Sequence, residues 1–188
     1  SIWKNIDKEE HKEIFEYGER YKEFLDKSKT EREATDFIIE KAKNKGFISL
    51  EEAIKKEIKK GDKIYLNNKN KSAVLMVVGE DLEEGMNIVG SHIDCPRLDL
   101  KPNPLYEDCE LAMFKTHYYG GIRKYQWPTI QLALHGFVIN SKGEKININI
   151  GEDENDPVFF INDLLPHLGA DQNKKTLGAG VDAESLNI

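Results

Sequence analysis

From the amino terminus, apolar positions first recur with a helical period. Over residues 7–26, Ile14, Tyr17, Tyr21 and Leu25 fall on one face with Phe24 beside them, which predicts an amphipathic scaffold helix. Thr30 followed by Glu33 has the spacing of a capping box, in which each residue's side chain accepts a hydrogen bond from the other's backbone N–H. Behind it Ala34, Phe37, Ile38 and Ala42 form one apolar face of a second helix, and Gly46 is its stop signal. Ser49 with Glu52 repeats the device for a short third helix ending before Gly61.

The period then changes to that of strands. Residues 63–67 and 72–79 flank the polar turn Asn68-Lys69-Asn70-Lys71, which reads as a hairpin. Residues 73–78 are apolar without alternation, the pattern of a strand buried on both faces. Residues 86–94 read as a further strand, opened by the turn residues Glu84 and Gly85 and ended by Pro96, which has no N–H for a ladder. This first part predicts helices packed on a mixed sheet.

The texture shifts at Lys101-Pro102-Asn103-Pro104, which reads as a rigid connector. Beyond it, residues 111–117 and 129–139 are strand-like, and Ile146, Ile148 and Ile150 alternate with Asn147 and Asn149. No helical crossover fits between these segments, so antiparallel pairing is expected. Residues 159–168 read as a strand leading into a helix after Gly169. The fold class is therefore α/β, divided into residues 1–99 and a β-rich unit of residues 100–188.

Composition narrows the setting. The chain has 188 residues, 39% apolar and 32% charged, with a formal net charge of -7. That length suffices for one domain with a real core or for two small ones. No Lys/Arg run stands out, so a nucleic acid is not the expected partner. The longest apolar run, residues 73–78, is too short to span a bilayer, and the first residues lack an apolar signal core. Cys95 and Cys109 are two cysteines without a C-x-x-C spacing, which suggests reduced thiols and a cytoplasmic protein. The closing run Ser185-Leu186-Asn187-Ile188 reads as the middle of a longer sequence.

Candidate chemistry centres on Gly90-Ser91-His92-Ile93-Asp94. Residues two apart on a strand share a face, so an imidazole and a carboxylate would emerge side by side at the strand's end. That suits a metal site, where one ring nitrogen ligates while the other donates its N–H to a carboxylate. A lone His-x-Asp triplet is more often a surface pair. His117 and His135 lie on expected strands and read as packing or hydrogen-bonding residues rather than ligands; His11 reads as a solvated helix residue. His167 differs, because Pro166 before it and Gly169 after it make a turn that pushes an imidazole outward. Gly120-Gly121 reads as a turn. No G-x-S-x-G elbow or phosphate-binding glycine loop is present.

The run S-H-I-D-C-P-R-L-D-L-K-P-N-P-L-Y-E, residues 91–107, resembles the aspartyl aminopeptidase and aminopeptidase I family of metallopeptidases. So do H-Y-Y-G-G-I at 117–122, Q-W-P-T-I-Q-L-A-L-H-G at 126–136 and I-N-D-L-L-P-H-L at 161–168. The likeness covers nearly the whole chain. It implies an α/β catalytic domain holding two co-catalytic metal ions, usually zinc. It also implies an inserted β-rich domain that builds a homodimer, often assembled into larger homo-oligomers. Residues 1–99 would be part of the catalytic domain and residues 100–188 part of the dimerisation domain. His92 matches the family's first metal-ligand histidine and Asp94 the acid that orients it. His167 resembles the histidine offered to the partner subunit's active site. The remaining ligands and the glutamate general base lie downstream in the family, and nothing here corresponds to them. One histidine with its orienter falls short of the three or so protein ligands of a catalytic zinc. Position 95 is Cys where many relatives have Ser.

The expected function is zinc-dependent removal of N-terminal residues from peptides, with this chain alone inactive because its ligand set is incomplete. Two rivals stand beside it: a non-catalytic dimerisation module, and a sister-family dinuclear aminopeptidase, which would share the His-x-Asp pair but not readily explain H-Y-Y-G-G-I or L-L-P-H-L.

Overall fold

The computed structural model describes residues 1–81 and 83–188. They divide into two compact units, Ser1–Asp94 and Cys95–Ile188.

In the first unit, local chemistry sets the helix ends. The helix α1, Lys8–Lys27, starts at a capping box between Asp7 and Glu10. The helix α2, Glu31–Asn44, starts at the Thr30–Glu33 box. Gly46, at φ +80°, turns the chain away after α2, where a side chain would be strained. A two-residue strand β1, Ile48–Ser49, leads into the short helix α3, Leu50–Ala53, which uses the Ser49–Glu52 box. The hairpin follows as β2, Lys63–Asn68, and β3, Ser72–Val77. β1 pairs parallel to β2, and β2 pairs antiparallel to β3, so the sheet is mixed. The core of this unit gathers Ala34, Ile39 and Ala42 of α2 with Ala53 and Ile64. α1 joins mainly through Phe24, whose ring meets Phe37 edge-on at 5.4 Å, and it buries no residue completely.

Two expectations in this unit fail. Residues 73–78 are not buried on both faces: Val74, Leu75, Met76 and Val77 of β3 are all exposed. β3 is an edge of its three-stranded sheet, and apolarity alone does not supply a covering layer. Residues 86–94 form no strand, and Ile88 and Val89 are 80% and 98% exposed. A strand exists only through ladder bonds to a neighbour, and no described strand pairs with this segment.

The second unit is built from two antiparallel hairpins. β4, Arg97–Asp108, pairs with β5, Leu111–Tyr119; β6, Leu134–Ile139, pairs with β7, Lys145–Ile150. The expected connector at Lys101–Pro104 instead lies inside β4. The ladder shifts register between Leu100 and Leu105, so the two prolines sit in an irregularity where missing N–H groups are tolerated. The strand expected over residues 129–139 is regular only from Leu134; earlier, Pro128 and Leu132 make isolated bridges to Ile161 and Phe159. Those two bridges replace the strand expected at residues 159–168, and a 3-10 turn, Gln172–Lys174, stands where a helix was expected after Gly169. The last residues return to β5: the N–H of Ile188 donates to the Phe114 carbonyl at 3.0 Å, and the Thr116 hydroxyl donates to the carbonyl of Leu186. Leu186 and Ile161 are the fully covered apolar side chains of this unit.

Candidate metal centre

His92 and Asp94 meet although the strand meant to align them is absent. The Nδ1 nitrogen of His92 lies 2.8 Å from the main-chain oxygen of Asp94 and 3.2 Å from its carboxylate Oδ1. Both partners are acceptors, so in the neutral ring Nδ1 carries the hydrogen and Nε2 keeps its lone pair. The His92 side chain is 82% exposed, which leaves Nε2 open to an incoming ion. This is the tautomer and orientation a ligating imidazole needs, with its outer nitrogen held by a carboxylate and a carbonyl. The small residues Gly90 and Ser91 precede it, and among the described residues no atom beyond the chain neighbours lies within 4 Å of where a Cβ on Gly90 would stand.

The pair fits one corner of a zinc site. Among the described residues, no group of three or more His, Cys, Asp or Glu side chains converges in a way that could hold an ion. Cys95 and Cys109 are exposed and neither is in a disulfide.

His167 lies in the second unit, exposed in a turn over residues 166–168. The N–H groups of Leu168 and Gly169 both donate to the Leu165 carbonyl at 2.9 Å, which closes the turn around Pro166. The neighbours of His167 in sequence, Leu164, Leu165 and Leu168, are all exposed.

The other histidines have structural partners. The Nε2 nitrogen of His135 sits 2.9 Å from Glu152 Oε1, with its side chain only 10% exposed, so it ties β6 to the turn after β7. His117 stacks on Tyr118 with centroids 5.6 Å apart. His11 is not simply solvated: it stacks on Phe15 at 4.7 Å and meets Trp3 edge-on at 5.9 Å.

Sequence reading passed over a contact just downstream of Asp94. The Arg97 guanidinium lies 4.1 Å from the centroid of the Tyr119 ring, and Gly120, at φ +80°, turns the chain where an added Cβ would reach Pro96 at 3.6 Å. The paired glycines and the preceding aromatics were the available signal, but the pairing of Arg97 with Tyr119 depends on strand register across a long hairpin.

An exposed histidine whose Nδ1 is held by the aspartate two residues on has the donor chemistry to ligate an ion, but by itself it defines no class of protein. Comparison with known proteins makes the class specific. Residues 24–186 match the family model described as Aminopeptidase I zinc metalloprotease (M18). The chain belongs to that family. It is 46% identical over 191 residues to a protein named probable M18 family aminopeptidase 1 from Clostridium acetobutylicum, covering all of this chain and 41% of that one. The crystal structure of an M18-family aminopeptidase from Thermotoga maritima superposes with a TM-score of 0.89 at 41% identity, covering 99% of this chain and 40% of that chain. Aminopeptidase I from Borrelia burgdorferi B31 gives a TM-score of 0.83 at 48% identity, over 87% of this chain and 40% of that chain. The chain thus spans about two-fifths of the length of these relatives. No helix among the described residues is long and apolar enough to cross a membrane.

Proposed function

We propose that the whole protein is a zinc-dependent aminopeptidase that removes N-terminal residues from peptides, and that this chain supplies its first metal ligand. The observation that carries the reading is the His92–Asp94 pair, in which Nδ1 is held at 2.8 Å by one residue and Nε2 is left open. Zinc, when bound, polarises a scissile carbonyl and lowers the pKa of a coordinated water. His92 would bind one ion through Nε2. Asp94 would hold the proton on Nδ1 and keep the ring from rotating. The other ligands and the proton-accepting glutamate would come from elsewhere in the protein.

Residues 1–99 would form part of the catalytic domain and residues 100–188 part of a β-rich dimerisation domain. Self-association of the second part is supported by three large apolar side chains left exposed within five residues, Leu164, Leu165 and Leu168. His167 lies in the same short stretch. We assign it the role of a donor to the substrate or to the developing oxyanion in a partner subunit. Two thiols outside any disulfide support a reducing, cytoplasmic setting.

The test is direct. Full-length protein should release N-terminal residues from peptides, stop when zinc is removed by a chelator, and recover when zinc is restored. His92→Ala should abolish the activity and lower the zinc content. A full-length enzyme indifferent to both chelator and His92→Ala would overturn the assignment.

A further inference from the structure

The helix α1 carries an apolar stripe and buries no part of it completely. Ile14, Tyr17, Tyr21 and Leu25 are all exposed, while Phe24 meets Phe37 of α2. In proteins, most of a helix's stability comes from packing such a face, so the stripe calls for a second surface. Beside it an open groove runs between α1 and α2. Tyr17, Arg20, Tyr21 and Phe24 form one wall, and Lys41 and Lys45 stand on the other. Among the described residues no carboxylate lines this groove, in a chain whose net charge is -7. Two of its cations lie along aromatic rings: Arg20 is 5.8 Å from the centre of the Tyr17 ring, and Lys41 is 4.7 Å from that of Phe37.

The opposite charge stands on the same helix. Glu10 and Glu13 precede Ile14 and Tyr17 by four residues each, so they extend the stripe's face toward the amino terminus. Glu9 adds to this acidic end. One face of α1 therefore runs from carboxylates, through exposed aromatic and aliphatic residues, to a groove lined by cations. A surface of that kind is complementary to itself when turned end for end. A second copy laid antiparallel about a two-fold axis near Tyr17 brings its acidic end to the cationic groove, and the reverse contact forms at the same time. The two apolar stripes then cover each other. A parallel pair would set acidic end against acidic end and cations against cations, so charge selects the antiparallel arrangement.

We propose that this face of α1, with the α1–α2 groove, is a contact between two copies of the protein, made by antiparallel packing of their α1 helices. Glu13 of each copy meets Arg20 of the other, and Lys41 and Lys45 receive the acidic first turn. The contact involves none of residues 100–188, and it does not depend on His92 being a zinc ligand.

The experiment uses full-length protein. Tyr17→Cys is treated with a short bifunctional thiol reagent and resolved on a denaturing gel, beside protein lacking the added cysteine, which accounts for Cys95, Cys109 and any other thiol. A cross-linked pair of chains that depends on the added cysteine is expected. Glu13→Arg and Arg20→Glu, each combined with Tyr17→Cys, should lower the cross-linked fraction about tenfold, because like charges then face each other across the contact. Both reversals together should restore it, since every changed residue again meets its opposite on the second copy. Thermal melting identifies a variant that fails to fold; if one single reversal does, the other single and the double carry the test. Folded Tyr17→Cys protein with no added cross-link would overturn the proposal, as it would if another part of the same polypeptide, or a different protein, covers the groove. A cross-link indifferent to the single reversals, or one that stays weak in the double variant, would overturn it equally.

Discussion

His92 takes its orientation mainly from the backbone of Asp94: Nδ1 is 2.8 Å from the Asp94 carbonyl oxygen but 3.2 Å from its carboxylate. The aspartate thus acts through two acceptors, and only one of them is removed by changing its side chain. The division sets the size of the first expected effect.

Asp94→Asn should leave the fold intact and weaken zinc binding in the full-length protein by about tenfold. This is the lower end of the roughly 10–100-fold range for orienting partners, because the closer carbonyl contact survives. His92→Ala should remove the first ion altogether. Chelator competition on the purified variants measures both, and equal affinity in all three proteins would leave the site without a basis.

His167 can be tested by mixing subunits of the full-length enzyme. A His167→Ala subunit is combined with a His92→Ala subunit. If His167 serves the partner, one site of the hybrid carries both lesions and the other is intact, so about half of wild-type activity returns. Each parent homodimer should be nearly inactive, since loss of one oxyanion donor typically costs about 10²–10³ in turnover. A hybrid as inactive as its parents would argue that His167 serves its own subunit. A fully active His167→Ala homodimer would remove it from the reaction.

Leu186 is completely buried, and its carbonyl accepts the Thr116 hydroxyl. Leu186→Ala should destabilise the second unit by about 2–5 kcal/mol, the usual cost of truncating a buried leucine. Urea titration should show this as a lower midpoint. A loss under about 0.5 kcal/mol, the surface range, would contradict the core position.

Glu184 should lose a stabilising contact as the pH falls. Its hydrogen bond to Lys101, and then the charge of that lysine, hold its carboxyl below the usual carboxylate range. A folded value below the unfolded one means that the stabilisation is present above about pH 4.3, the unperturbed glutamate value. It is lost as pH falls through the folded value. An NMR titration of the Glu184 carboxyl should show a midpoint that rises toward about 4.3 in Lys101→Met. Salt should shrink the difference, because the pair is exposed.

What could be read from the chain alone is what depends on neighbours in sequence. The capping boxes at Thr30 and Ser49 are satisfied within four residues, so their donors and acceptors are visible in the letters. The stop at Gly46 and the hairpin of β2 and β3 are equally local. His92 and Asp94 are two residues apart, and their contact forms even without the strand expected to align them. The family was legible for the same reason: its motifs are contiguous runs.

Tertiary structure decided whatever needed a distant partner. Apolar letters at Val74–Val77 and at Ile88 and Val89 state a tendency to be covered, but burial requires a second surface, and these residues are exposed. Lys101–Pro104 looks like a linker by composition, yet pairing with β5 draws it into a strand with a register shift. The placement of the Arg97 guanidinium 4.1 Å from the Tyr119 ring centroid arises from that same pairing. Hydrogen-bond register between strands is a property of two segments together, and neither segment's sequence specifies it without the other.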